Sequence, residues 1–141
     1  MRVYLASSFK LMDWVKAVRW EMEKVGIEIT VVWWETNFKS ALGEMTDDEW
    51  YSRPEIERIR KRNFQGIDDA DALVLVCDPI APCKFNGANV EVGYALGKGK
   101  PVYSIGALER SGMYQEVIRC SSPTAVINDL LSPNTDRGDD Q

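Results

Sequence analysis

The run ALVLVCD at residues 72–78 constrains the fold of this chain more than any other feature. Its residues are apolar almost throughout, without the alternation expected of a strand that has one face in water. Continuous apolar runs are typical of strands buried on both faces, and such strands occur in parallel sheets covered by helices. The run ends in an acidic residue followed by Pro79. The sequence therefore predicts a parallel sheet that contains this run as a strand.

The remaining strand signals lie on both sides of this run. Apolar and β-branched residues predict further strands at 3–6, 27–34 and 102–105. The segment 113–118 is ambiguous between a helix and a fifth short strand. The predicted sheet thus has four or five strands.

Segments with helical periodicity lie between the predicted strands. The first helix ends at Gly26, and its apolar residues recur every three or four positions: Leu11, Val15, Val18, Met22 and Val25. A second helix begins near Pro54, a residue suited to a first helical turn, and a short link at 68–71 follows it. A third begins near Gly87, and a last one covers 123–131.

The resulting order of elements is that of a doubly wound α/β domain. We expect a Rossmann- or flavodoxin-like parallel sheet of four to five strands, flanked by helices. Residues 1–132 are predicted to form one domain, and the acidic tail 133–141 is predicted to be disordered. The segment 35–53 has no clean period and is predicted as a long loop with a helical turn at 47–51.

The charge of the chain argues against a nucleic-acid polymer as partner. The formal net charge is −5 and the sequence pI is about 4.8. Surfaces that follow a phosphate backbone need clustered Lys and Arg to release counterions. Basic residues do cluster at 58–62, but acidic residues surround them.

The chain has no histidine, and its three cysteines lack paired CxxC spacing. Zinc sites and His-based triads are therefore excluded, so acid–base chemistry falls to carboxylates, Tyr, Lys or Cys. No apolar run approaches the roughly 20 residues that a membrane span needs, and the N-terminus does not resemble a signal peptide. We therefore expect a cytoplasmic protein without membrane contact.

Glu91 is the acidic residue with an unusual predicted position. In a helix that begins near Gly87, it shares one face with Ala88, Ala95 and Gly99, small residues that let a helix press against a sheet. A carboxylate on such a face is costly unless it is paired, and its pKa moves. Glu91 is therefore a candidate nucleophile or base. The alternative is a side chain at the edge of this face that reaches solvent.

Ligands of doubly wound sheets bind beyond the carboxyl ends of the strands, where the strand order reverses. The segments at that edge are the loop 7–10, the stretch after Trp34 and the loop after Asp78. The Glu91 helix begins at the same edge, with Asn86 as a candidate cap, and the positive end of the helix favours a nearby negative charge. Glu91 is thus expected to face the ligand crevice.

Polar residues near this edge have two interpretations each. The phosphate-binding motifs GxGxxG and GxxxxGK[ST] are absent. Ser7, Ser8 and Lys10 either bind one phosphate or form a solvated turn. Asn63 interrupts an apolar stripe of the second helix, either as a hydrogen-bonded structural residue or as a ligand contact.

Three segments together resemble the nucleoside 2-deoxyribosyltransferase-like superfamily, which includes deoxyribosyltransferases and nucleotide N-glycoside hydrolases. They are VYLASSF, NFQGIDDADALVLV and NGANVEVGYALGKGKPV, and they span residues 3–105. The last segment is the most specific, because it resembles the nucleophile helix of the superfamily.

The resemblance implies a Glu that attacks the anomeric carbon of a nucleoside and forms a glycosyl-enzyme intermediate. Glu91 matches that nucleophile, and Tyr4 matches the tyrosine that orients it. Phe9 matches an aromatic residue of the base pocket. Asn63 stands where many members have an Asp that contacts the base. The resemblance implies no metal or organic cofactor, and it implies a homo-oligomer.

One departure from the superfamily bears on the reaction. Transferases carry an Asp six residues before the nucleophile, where this chain has Phe85. Asp78 is the candidate substitute from the neighbouring strand end. The departure favours hydrolysis, and in the nucleotide-hydrolase branch the first loop holds a 5′-phosphate, a role that Ser8 and Lys10 fit. One of Trp33 and Trp34 is expected in the core, with Trp34 over the pocket.

The sequence thus predicts an N-glycosidase that cleaves the base–sugar bond of a nucleoside or nucleoside 5′-monophosphate. The alternatives are a deoxyribosyltransferase that exchanges bases and a non-catalytic nucleotide-binding module. The predicted catalytic residues are Glu91, Tyr4 and Asn63. The predicted substrate-binding residues are Ser7, Ser8, Phe9, Lys10, Trp34, Asp78, Asn86 and Gly87.

Overall fold

The computed structural model describes residues 1–35 and 54–132. Its strands form one five-stranded sheet in the order β2-β1-β3-β4-β5, and every neighbouring pair is parallel. The strands are β1 (Arg2–Ala6), β2 (Glu28–Ile29), β3 (Ala72–Val76), β4 (Val102–Ile105) and β5 (Ile118–Cys120). This order is that of the flavodoxin-like doubly wound sheet, so the predicted fold class is confirmed.

Four α-helices within the described ranges cover the two faces of this sheet. They are α1 (Met12–Lys24), α2 (Pro54–Asp69), α3 (Gly87–Gly97) and α4 (Pro123–Leu131). The α1 and α4 helices contact each other on one face, whereas α2 and α3 contact each other on the opposite face. Both faces of the sheet are therefore buried, which is why β3 tolerates no polar residue between Ala72 and Val76.

The order of strands explains the burial of the two central ones. The β3 strand lies between β1 and β4, and every residue of it is at most 1% exposed. In the register of β1 and β3, Tyr4 lies beside Leu73. Tyr4 is fully buried although it carries a hydroxyl group, so that group needs a partner inside the protein.

Several predicted boundaries are wrong. The second strand covers only Glu28–Ile29, and Trp33–Glu35 forms a 3-10 helix instead of the end of that strand. The reason is that β2 is an edge strand paired only with β1, and the indole of Trp33 turns inward to donate a hydrogen bond to the Leu5 carbonyl, with N and O 2.5 Å apart.

Helix boundaries shift by a few residues as well. The α1 helix ends at Lys24, so Val25 is 48% exposed rather than part of the buried stripe, and Gly26 follows with a φ of 85°. The α2 helix continues to Asp69, into the predicted link. The ambiguous segment contains the end of the 3-10 turn Gly112–Tyr114 and the start of β5.

Other expectations remain predictions. The helical turn at 47–51, most of the predicted loop 35–53 and the acidic tail 133–141 lie outside the described residues. Within 1–35 and 54–132, no helix has the length and apolar character needed to cross a membrane.

Gly66 allows α2 to lie close to the residues that surround Tyr4. A Cβ atom built on Gly66 would lie 2.3 Å from Cγ2 of Val31, 3.2 Å from Oγ1 of Thr30 and 3.3 Å from Cδ2 of Tyr4. The first distance is far below van der Waals contact. The missing side chain is therefore a packing requirement of this position.

We expect Gly66→Ala to lower the free energy of unfolding by about 1–3 kcal/mol, because the added methyl group overlaps Val31. Gly93→Ala in α3 is the matched control, since nothing lies within 4 Å of its added Cβ. The better helix propensity of alanine should leave that variant as stable as the wild type, or more stable by up to about 1 kcal/mol. Urea unfolding measures both, and equal losses would contradict the packing argument.

Candidate active site

A cavity of about 620 Å³ opens at the carboxyl ends of β1 and β3, where the order of strands reverses. Its volume lies within the range of small-molecule sites, about 300–1,000 Å³. Residues 7–11 after β1 and residues 83–88, between β3 and α3, form two of its walls. Ile59 and Asn63 of α2 line a third side, and Glu91 of α3 also faces it.

Tyr4 and Glu91 form the central pair of this region. The Tyr4 hydroxyl donates a hydrogen bond to Oε2 of Glu91, with the two oxygens 2.5 Å apart. The α3 helix places Ala88 and Ala95 in the core on the same side as Glu91, so the helix packs closely enough for its carboxylate to reach β1. The inward orientation predicted for Glu91 is therefore present, and its partner is the buried hydroxyl of the first strand.

Burial changes the proton affinity of both members of this pair. Burial raises the pKa of the Glu91 carboxyl to about 7, and the hydrogen bond from Tyr4 opposes part of that rise. Burial and then the charge of Glu91 raise the pKa of the Tyr4 hydroxyl well above its usual range. Tyr4 therefore remains a donor at every physiological pH, whereas Glu91 changes charge near neutrality.

The loop after β1 brings four predicted residues to the cavity. The Ser7 hydroxyl donates to the Val76 carbonyl at 2.6 Å and so ties this loop to the end of β3. Oγ of Ser8 accepts a hydrogen bond from the Lys10 amide at 3.3 Å and caps the short 3-10 helix Phe9–Leu11. Ser7, Ser8, Phe9 and Lys10 all line the cavity.

The two tryptophans differ from the prediction. Among the described residues, Trp33 rather than Trp34 lines the cavity. The Phe9 and Trp33 rings meet edge to face, with centroids 5.1 Å apart, so they form a joint aromatic surface. Trp34 packs behind Trp33, and the Arg19 guanidinium lies 5.8 Å from the centroid of its ring. The prediction that Trp34 covers the pocket assumed a strand, in which side chains alternate between two faces. Trp33 and Trp34 lie in a 3-10 helix instead, where side chains do not alternate in this way.

The loop between β3 and α3 supplies the opposite wall. Oδ1 of Asp78 accepts hydrogen bonds from the amides of Ile80 and Ala81 at 2.8 and 3.1 Å, and these bonds lower its pKa. Asp78 lines the cavity, so a charged carboxylate lies at the end of β3. Asn86 and Gly87 also line the cavity, but Asn86 makes no side-chain capping bond to α3, contrary to expectation.

Asn63 reaches the cavity from α2 as a half-buried residue. Its Oδ1 accepts hydrogen bonds from Nη2 and Nε of the neighbouring Arg62, at 3.3 and 3.4 Å. The amide nitrogen of Asn63 is a donor, and the oxygen is oriented by a cation. Asn63 is thus both hydrogen-bonded within the protein and placed at the cavity, and its contact with a ligand stays a prediction.

Two lining residues carry no motif that marks them in the sequence. Cys83 and Lys84 follow Asp78 in the loop before α3 and lie beside the cavity. Only their position in the sequence could have predicted this role, because they lie on a loop that follows the carboxyl end of a predicted strand, where ligands of such sheets bind. Lys84 and Lys10 place two ammonium groups at the cavity of a chain with a formal net charge of −5. Two acidic residues, Asp78 and Glu91, line the same cavity, so any preference for an anionic ligand group depends on contact with one of the two lysines.

One protein-family model matches most of this chain. The family model described as nucleoside 2-deoxyribosyltransferase matches residues 3–119. This match covers most of the chain, including both loops of the cavity, so the chain belongs to the nucleoside 2-deoxyribosyltransferase family, a family of enzymes. A search among curated proteins gives no match.

Solved structures share the fold at low sequence identity. The CMP N-glycosidase BcmB of Clostridium botulinum is 14% identical with a TM-score of 0.56, over 92% of this chain and 98% of that one. The 2-deoxyribosyltransferase of Bacillus psychrosaccharolyticus is 16% identical with a TM-score of 0.56, over 91% of each chain. A conserved protein from Enterococcus faecalis V583 is 13% identical with a TM-score of 0.60, over 95% and 99%.

The raised pKa of Glu91 predicts a pH-dependent stability. Glu91 binds its proton more tightly when folded, with a pKa of about 7 against an ordinary value of 4.5. The contribution of this carboxyl group to the free energy of unfolding is therefore fully present below pH 4.5 and is lost as the pH rises through about 7. Relative to Glu91→Gln, the wild type should lose up to about 3 kcal/mol of unfolding free energy over this range.

Chemical unfolding of both proteins at several pH values measures this difference. Glu116→Gln, at an exposed position, is the matched control and should differ from the wild type by a constant amount. A flat difference between the wild type and Glu91→Gln would show that the carboxyl group titrates normally in the folded protein.

Proposed function

We propose that this protein is an N-glycosidase that cleaves the base–sugar bond of a nucleoside or nucleoside 5′-monophosphate. The observation that carries the proposal is the Tyr4–Glu91 pair beside a cavity of about 620 Å³. Membership of the nucleoside 2-deoxyribosyltransferase family supports the substrate class. Substitution of Phe85 for the acid of transferases favours water as the acceptor of the sugar.

Glu91 is the proposed nucleophile. Tyr4 donates to Oε2, so we assign Oε1 to the attack on the anomeric carbon. The new C–O bond forms as the base–sugar bond breaks and its electron pair leaves with the base. Water then attacks the glycosyl ester and restores the carboxylate. The pKa of about 7 leaves a substantial ionised fraction of Glu91 at neutral pH.

The other lining residues receive proposed binding roles. The edge-to-face pair of Phe9 and Trp33 offers an apolar surface for the base, and Asn63 offers a hydrogen-bond donor to it. Protonation of the leaving base falls to a carboxyl group or water, because the chain has no histidine. Asp78 is the charged carboxylate of the opposite wall and the proposed contact to the sugar.

Two expectations about the whole protein stay predictions. Cys77 and Cys83 carry free thiols, which suits the predicted cytoplasmic location. Ile80 and Met113 are 90% and 80% exposed, and the homo-oligomer that the family resemblance implies stays a prediction.

Free-base release is the direct test of the proposed activity. The wild type should release a base from at least one member of a panel of ribonucleosides, deoxyribonucleosides and their 5′-monophosphates. Glu91→Gln should release it more slowly by more than about a thousandfold, because the nucleophile is lost. A second free base added to the reaction separates the two chemistries: exchange products indicate a transferase, and free sugar alone indicates a hydrolase. Equal rates for the two proteins would refute the role of Glu91.

Lys10 tests the preference for a phosphate group. Lys10→Ala should raise KM for a 5′-monophosphate by about tenfold, the effect of one charge-assisted hydrogen bond, and leave KM for the matching nucleoside unchanged. Lys16→Ala on α1 removes the same charge from an exposed position outside the lining residues and is the control. An equal rise of KM for the 5′-monophosphate and for the nucleoside would mean that Lys10 supports the loop and does not recognise phosphate.

A further inference from the structure

Asn63 lies near both the Tyr4 ring and the segment that carries Trp33. Gly66 follows Asn63 by three positions on α2, and a Cβ atom built on Gly66 lies 2.3 Å from Cγ2 of Val31 and 3.3 Å from Cδ2 of Tyr4. Residues three apart are neighbours on one face of a helix, so Asn63 lies on this face one turn closer to the start of α2. The cavity-lining residue Trp33 follows Val31 by two positions.

An aromatic pair and an aliphatic residue accompany Asn63 at the cavity. The Phe9 and Trp33 rings meet edge to face, and Ile59 precedes Asn63 by one turn on the same face of α2. A flat base can pack against these apolar side chains, whereas the hydroxyl groups of a sugar need polar partners. We therefore place the base on this side of the cavity. Of the two α2 residues that line the cavity, Asn63 is the polar one.

Arg62 sets the orientation of the Asn63 amide. Nη2 and Nε of Arg62 both donate to Oδ1 of Asn63, at 3.3 and 3.4 Å. A guanidinium group carries only donors, so it can face the oxygen of the amide but not its NH2 group. The two bonds also occupy both acceptor sites of that oxygen. The NH2 group is therefore the part of the amide that is left for a ligand in the cavity.

Arg62 acts at the edge of the site without lining it. Its side chain is exposed and lies outside the lining residues, whereas the neighbouring Asn63 is half-buried and lines the cavity. Burial and the charge of Glu91 raise the pKa of the Tyr4 hydroxyl, and the positive charge of Arg62 opposes part of that rise. The guanidinium group thus lies close enough to the Tyr4–Glu91 pair for its charge to act there.

We propose that Arg62 holds the NH2 group of Asn63 toward the base, so that the site selects an oxo base over an amino base. The inference rests on the proposed function, because it takes a nucleoside with its anomeric carbon at Glu91 and its base against Phe9 and Trp33. An exocyclic oxo group accepts a hydrogen bond from the NH2 group, whereas an exocyclic amino group places a second donor against it. Two donors cannot pair, which should weaken binding by about tenfold or more. Asn63 determines specificity, and Arg62 is a positioning residue.

Matched nucleosides test this selectivity by binding to inactive protein. Uridine and inosine carry an oxo group where cytidine and adenosine carry an amino group. In the Glu91→Gln background, we would measure dissociation constants for both pairs and for their 2′-deoxy forms by calorimetry. The oxo member of the best-bound pair should bind more tightly by about tenfold or more. Equal binding within the pairs, or tighter binding of the amino members, would overturn the inference.

Asn63→Asp replaces the donor with an acceptor at the same position. One carboxylate oxygen can stay with Arg62, and the other then accepts a hydrogen bond from an amino group. The substitution should therefore abolish the oxo preference or reverse it. An oxo preference that persists in Asn63→Asp would show that another group reads the base, and it would overturn the role of Asn63.

Arg62→Met tests the positioning role, since it removes the donors and keeps most of the apolar stem. The Asn63 amide is then free to turn over, so the oxo preference should fall severalfold. In an Asn63→Ala background, Arg62→Met should have no further effect on the preference, because Arg62 acts through Asn63. Arg60→Met is the matched control: it removes the same charge from an exposed position of α2 outside the lining residues and should leave the preference unchanged.

The outcomes separate this inference from the proposed function. An Arg62→Met protein with a lower melting temperature but the wild-type preference would show that Arg62 only stabilises α2, and it would overturn the positioning role. Multiplicative effects of Arg62→Met and Asn63→Ala would do the same. Oxo-selective binding without base release by the wild type would support the inference and refute the glycosidase. Base release without a preference within either pair would support the glycosidase and overturn the inference. No saturable nucleoside binding would overturn both.

Discussion

The hydrogen bond between Tyr4 and Glu91 is the contact on which the geometry of the cavity depends. A tyrosine hydroxyl in a central strand and a carboxylate on a packed helix are each costly to bury alone. Together they satisfy one another across the junction of β1 and α3. Gly66 makes room for this arrangement, because any side chain there would meet Val31 and the Tyr4 ring. The hydrogen bond between Tyr4 and Glu91 therefore depends on the close packing of the helices against β1.

The topology of the sheet surrounds this pair with two loops. Strands β1 and β3 are neighbours in the sheet, and their following chains leave toward α1 and α3, on opposite faces. The cavity opens between them, so residues distant in sequence meet there. Lys10 and Lys84 come from the two different loops, and the acidic residues Asp78 and Glu91 line the same cavity. The partly buried carboxyl group of Glu91 thereby lies at a cavity to which both loops contribute charged side chains.

Predictions from neighbouring residues in the sequence are wrong where tertiary contacts decide the conformation. The tryptophans at 33 and 34 have strong strand propensity, yet a bond from Trp33 to the Leu5 carbonyl turns them into a 3-10 helix. Asn86 has the chemistry of a helix cap but makes no capping bond through its side chain. Asn89 instead bonds the backbone of the preceding loop. Propensity describes what a residue tolerates, and packing selects among the tolerated states.

The sequence by itself determined the α/β class, the buried strand at 72–76, the helix that begins at Gly87 and the inward face of Glu91. These features follow from periodicity and residue type, which act over a few neighbouring positions. Only the tertiary structure decided that Trp33 lines the cavity and that Tyr114 is joined through Asn89 to Phe85 of the cavity wall. Those contacts connect separate loops, and their geometry exists only after the sheet has assembled.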